Sequence, residues 1–95
     1  FWGHLGRAYF TGKHYEEAMS AIENIETPDI LQLAFLAASC GYLNDTKKAL
    51  SAAEAARKLN PAITITEILS MQHYGKEADL KHFTDGLRLA GFSDD

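Results

Sequence analysis

Ile30-Leu31-Gln32-Leu33-Ala34-Phe35-Leu36-Ala37-Ala38-Ser39-Cys40 is the stretch that decides the fold, because only Gln32 and Ser39 in it are polar. A helix this apolar has no side left for water and must be covered nearly all round. It is too short to cross a membrane. Other helices must therefore enclose it, and the flanking sequence supplies them. Apolar spacings of three and four residues dominate the chain, strand-like alternation is confined to Ile63-Thr64-Ile65-Thr66, and only two prolines occur. The pattern predicts an all-α protein with helices at about 2–11, 14–25, 28–41, 46–59, 65–74 and 77–90.

The breaks carry their own chemistry. Gly12 is placed to take the left-handed turn after the first helix. Thr27-Pro28-Asp29 offers an N-cap, a proline at the first helical position and an acid in the first turn. Asn60-Pro61 ends the fourth helix. Thr64 and Glu67 have the spacing of a capping box, with Ile63 set to staple against Ile68. Gly75 is expected to close the fifth helix, and Gly91 to end the sixth in a Schellman turn that brings Phe92 against Leu87.

The helix faces predict who sits inside. Ala49, Ala52, Ala53, Ala55 and Ala56 let a neighbour approach the fourth helix closely. The last helix is one-sided: Leu80, Phe83, Leu87 and Ala90 face inward, while Lys76, Glu77, Asp79, Lys81, Asp85 and Arg88 face water. Such a helix suits the closed end of a stack.

Ninety-five residues with 46% hydrophobic content make one small domain that can pack a core without metals or disulfides. The net charge of −4, with acids and bases interspersed, argues against a nucleic-acid surface and against a basic membrane-binding helix. Cys40 is the single cysteine, which favours a reducing, cytoplasmic compartment. The chain does not open with Met, so the expectation is a piece of a longer protein, with the acidic Phe92-Ser93-Asp94-Asp95 reading as its C-terminus.

Trp2-x2-Leu5-Gly6-x2-Tyr9, followed by Ala18-x3-Ile22 and Pro28, resembles the tetratricopeptide repeat. Gly6 and Ala18 would let the two helices of the pair approach closely, and Ile22 stands where the family has Phe. A second copy follows: His14-Tyr15-Glu16-Glu17-Ala18-Met19-Ser20-Ala21-Ile22 aligns with Asp45-Thr46-Lys47-Lys48-Ala49-Leu50-Ser51-Ala52-Ala53. Leu33, Leu36, Ala37 and Cys40 then take the places of Trp2, Leu5, Gly6 and Tyr9. The Ala18 to Ala49 spacing is 31, against the family's 34. The resemblance implies a right-handed α-solenoid of antiparallel helix pairs, with repeats at 1–28 and 29–61 and a capping pair at 62–95. Gly75 to Phe92 also resembles the C-terminal ends of bacterial multidomain signalling proteins, in which helical repeats follow a class III adenylate or guanylate cyclase domain or a winged-helix regulator. Ala78-Asp79-Leu80, Asp85-Gly86-Leu87-Arg88 and Ala90-Gly91-Phe92 carry that likeness.

By that resemblance the function is protein–protein interaction, with an upstream repeat, a second copy or a peptide as partner. No cofactor, nucleic acid or membrane insertion is expected. In the family the first helix of each pair lines a groove; the matching positions are Arg7, Phe10, Thr11, Ala34, Ala38 and Tyr42. One subclass clamps a peptide carboxylate with Lys and Asn, where this chain has Gly3 and Arg7, so that clamp is not expected. Phe1 and Trp2 are read as an association surface, although Trp2 also fits the core of its own repeat. The rival readings are a metal or small-ligand module around His73 and His82, with Asp79 and Asp85 three residues either side of His82, and a passive spacer. No third convergent ligand is evident, so no metal is expected. Cys40 reads as a buried small hydrophobe rather than a nucleophile, and no catalytic motif appears.

Overall fold

The computed structural model describes residues 2–72 and 74–94. Among them six helices and no strand are found: α1 (Trp2–Thr11), α2 (Tyr15–Glu23), α3 (Ile30–Tyr42), α4 (Thr46–Leu59), α5 (Ile65–Met71) and α6 (Glu77–Leu89). The protein is all-α, as the spacing predicts. None of these helices is long and apolar enough to cross a membrane.

α3 is the central element and packs against each of the other five helices. From Leu33 to Gly41 only Leu36 retains notable exposure. Its one buried hydroxyl, Ser39, donates to the Phe35 carbonyl one turn back at 2.8 Å, so no polar group is stranded there. α1 and α2 approach closely where Gly6 faces α2: a Cβ on Gly6 would meet Ile22 Cγ1 at 2.5 Å. α4 presents Ala49, Ala52, Ala53 and Ala56, all buried, toward α3.

Helix ends follow local capping chemistry, in places not the expected one. α3 starts at Asp29 rather than Thr27. The Asp29 carboxylate accepts from the Gln32 N–H at 2.8 Å and the Gln32 amide oxygen accepts from the Asp29 N–H at 2.9 Å, a reciprocal box that Thr27 cannot make. After α1 the left-handed residue is Lys13, with φ 65°, and not Gly12. The His14 N–H reaches the Tyr9 carbonyl at 2.8 Å and the Lys13 N–H reaches Phe10 at 2.9 Å, which is a Schellman turn one residue later than expected. Asn44, φ 59°, ends α3 in the same way. Gly91, φ 95°, ends α6 as predicted, with the Phe92 N–H on the Leu87 carbonyl at 3.1 Å.

α5 stops at Met71, well before Gly75. Gln72 leaves the helix in an extended conformation, its side chain buried. Its amide oxygen, in the orientation that satisfies both groups, accepts from Arg7 Nε at 3.1 Å and Nη2 at 2.6 Å. Tyr74 then reaches Thr11, hydroxyl to hydroxyl at 2.9 Å.

α6 is one-sided as expected, with Phe83 and Leu87 fully buried. Its inner face lies across α3 and touches α1. The crossing is close because glycines meet it from both sides. A Cβ on Gly86 would stand 2.9 Å from Ala38 Cβ, and one on Gly41 would stand 3.0 Å from Leu89 Cβ. The segment after α6 is tied to α5 through the Ile65 N–H on Ser93 O at 2.8 Å, and Arg57 of α4 donates to Gly91 O at 2.9 Å.

Candidate functional site: an occupied face and an open cleft

The six groove positions predicted from the sequence do lie together, on the α1/α3 face. That face is not an open groove: α6 fills it. Phe10, Ala34 and Ala38 are fully buried, which corrects the expectation that they line a solvent channel. Phe10 is the hub of an aromatic cluster, edge-on to Phe35 at 5.5 Å and to Phe83 at 5.6 Å, and stacked on the His82 ring at 4.5 Å. Phe35 and Phe83 stack nearly parallel at 4.3 Å. The half-buried Tyr42 donates from its hydroxyl to the His82 carbonyl at 2.6 Å, and its ring stacks on Tyr15 at 4.7 Å. Arg7, the expected cation of the groove, sits over the Tyr74 ring at 5.4 Å and donates to Gln72. Thr11 donates back to the Arg7 carbonyl at 2.9 Å.

Burial sets the titration of this cluster. The Tyr42 hydroxyl is pushed up to about 12, chiefly by desolvation, with Tyr15 and Asp85 adding to it. His82 is held below the usual imidazole value, first by burial and then by Lys13, while Asp79 and Asp85 pull the other way. Its Nε2 lies 2.7 Å from the Tyr15 hydroxyl. The two acids that flank it in sequence, Asp79 and Asp85, are half-buried and line one concavity with it, and Asp85 pairs with Lys81 at 2.9 Å and Arg88 at 3.4 Å. Among the described residues no group of three His, Cys, Asp or Glu side chains converges on a metal position, and His73 lies outside them. Cys40 is fully buried, and desolvation, with Asp45 and Glu23, raises its thiol to about 11. It stays a thiol at neutral pH.

An open cleft with exposed aromatics lies elsewhere. Trp2, Leu5 and Tyr9 of α1 face Glu16, Glu17, Ser20 and Ala21 of α2 and its C-cap Asn24 across a cleft of about 430 Å³. Trp2 is 41% exposed and Tyr9 36%, which is unusual for two large aromatics one helix apart from a well-packed core. Trp2 thus stands at the surface and not in the core of its own helix pair. Phe1, its companion in the expected association surface, lies outside the described residues. The repeat resemblance puts Leu5 and Tyr9 on the same helix face as Gly6. Gly6 is buried as expected, but α1 is too short of covering neighbours for Leu5 and Tyr9 to follow it fully. No sequence signal marks the cleft, since the four-residue spacings of Leu5 and Tyr9 and of Glu17 and Ala21 are those of any amphipathic helix.

Compared with known protein families, characterised proteins and solved structures, the chain matches none of them.

Proposed function

We propose that this chain is a protein–protein interaction module whose docking surface is the α1/α2 cleft. In this reading α1/α2 and α3/α4 are two tetratricopeptide-like pairs of a short right-handed solenoid, and α5/α6 is its cap, folded back over the α1/α3 face instead of continuing the stack. In the same reading the module serves assembly or regulatory coupling in a larger bacterial signalling protein, a proposal that draws on the likeness of the α6 sequence to the ends of cyclases and winged-helix regulators.

The observation that carries the proposal is the stripe of exposed Trp2 and Tyr9 with half-buried Leu5 between them. A cleft that runs open between two helices suits a helical segment laid along it better than an enclosed small molecule, which would need burial on most sides. Trp and Tyr are also the residue types that concentrate binding energy at protein interfaces.

Selection of helical peptides from a display library on the wild-type chain tests this, with two charge-matched variants for mapping. Ser20→Arg puts a long side chain into the cleft from an exposed lining position, and Ser70→Arg adds the same charge on α5. The expected result is that selected peptides lose binding to Ser20→Arg and keep it on Ser70→Arg. Peptides indifferent to Ser20→Arg would refute the cleft as the docking surface.

A further inference from the structure

We infer that the occupant of the α1/α2 cleft is an amphipathic helix of a different protein, carrying lysine or arginine on the flank that meets Glu16 and Glu17; this rests on the cleft being the docking surface. Two features argue for it. The lining holds two carboxylates and no cation, with Ser20 and Asn24 as its other polar members. Glu16 has no ion-pair or hydrogen-bond partner among the described residues, and Glu17 has only the exposed ring of His14, Nδ1 at 3.6 Å. Glu16 is thus open to a cation from outside, and Glu17 is held only by an exposed imidazole that an incoming cation can replace. Across the same helix the corresponding need is already met, since Glu23 pairs with Lys48 at 3.7 Å.

The geometry also weighs against a second copy of this chain. A two-fold pair would set the same patch against itself, and with no cation in the lining neither copy could answer the other's Glu16 and Glu17. Like charges so placed oppose association, in a chain whose net charge is already −4. The acids stand at the first turn of α2, beside Tyr9, while Trp2 and Ala21 lie toward the other end. The matching helix therefore has its cations at one end of an apolar stripe. Glu16 and Glu17 also favour the dipole of α2 from its first turn, so the test must separate that role from binding.

The chain's single tryptophan lies in the cleft, and its emission reports occupancy directly. The probes are two synthetic peptides about 18 residues long, enough for an isolated helix to hold. They share one leucine stripe and differ only in two lysines or two glutamates on its flank. The lysine peptide is expected to bind about tenfold more tightly at low salt, with the preference falling to within about threefold at high salt. Glu16→Gln with Glu17→Gln should erase the preference while leaving the circular dichroism spectrum and light-scattering mass unchanged. Equal affinity for both peptides in the wild type would overturn the charge assignment and leave the cleft reading standing. No change in Trp2 emission with either peptide would overturn both. Dimerisation of the wild-type chain that is abolished by Ser20→Arg would replace the foreign helix with a second copy.

Discussion

Gly86→Ala is the sharpest perturbation of the way α6 sits on this protein. An alanine Cβ would stand 2.8 Å from Tyr42 Cε2 and 2.9 Å from Ala38 Cβ. Carbon atoms in contact prefer about 3.5–4.0 Å, so the gap is short by most of an ångström. Neither neighbour can yield easily. Ala38 Cβ is fixed to the α3 backbone, and the Tyr42 ring is held by its stack on Tyr15 and its 2.6 Å hydrogen bond to the His82 carbonyl. Overpacking of this kind costs about 1–3 kcal/mol, against about 1 kcal/mol gained by replacing glycine in a helix. The net expectation is a loss of roughly 1 kcal/mol, which for a domain of this size lowers Tm by about 4–8 °C. Thermal and urea unfolding followed by circular dichroism measure it. In a Tyr42→Ala background the same substitution should cost less or become stabilising, because the ring it strikes is gone. Gly75→Ala, with nothing within 4 Å, should change stability by less than about 0.5 kcal/mol. A Gly86→Ala protein as stable as wild type, or more so, would refute the close α3/α6 crossing.

Lys13→Gly should stabilise the protein by up to about 1 kcal/mol, since Lys13 holds φ 65° in the turn after α1 and glycine adopts that conformation without the Cβ penalty; chemical denaturation reads it, and a loss of stability would argue against the turn. His82 has a lowered value in the folded state, so the unfolded chain takes its proton first as pH falls. Its contribution is present above the unfolded value near 6.5 and is lost on going down through the folded value. Stability of the wild type should therefore decline on acidification below about pH 7 more steeply than that of His82→Gln; parallel profiles would count against the stacked, desolvated ring. Cys40, buried with its thiol near 11, should resist an aromatic disulfide reagent in the folded state and react at the rate of unfolding.

Much of this architecture is legible in the sequence because its signals are local. Five of the six helices, α1, α2, α4, α5 and α6, begin within a residue of their predicted starts, and Thr64, Asn60-Pro61 and Gly91 punctuate the chain as their chemistry dictates. The misses are contests between neighbours. Asp29 outcompetes Thr27 because Gln32 can answer it, and Lys13 takes the turn expected of Gly12. What the sequence does not carry is the partner of each face. The apolar stripe of Phe83 and Leu87 announces burial without saying that α3 and α1 provide it. Tyr15 with His82 and Thr11 with Tyr74 are paired across more than sixty residues, a distance no periodicity reports. Gly41 and Gly86, two glycines inside helices, were the readable hint of that crossing. The same limit hid the cleft: the repeat resemblance puts Leu5 and Tyr9 on the Gly6 face, and only the arrangement of α1 beside α2 shows them lining a cleft.

The most direct measurement is a backbone amide spectrum of the isotopically labelled chain, recorded free and with the lysine-flanked helix bound. Binding at the α1/α2 cleft predicts shifts at Trp2, Leu5, Tyr9, Ser20, Ala21 and Asn24, with α4 and α5 unmoved. Shifts centred instead on Phe10, Ala38, Tyr42 and α6 would contradict the account, because they would mean that the partner displaces α6 and takes the α1/α3 face for itself.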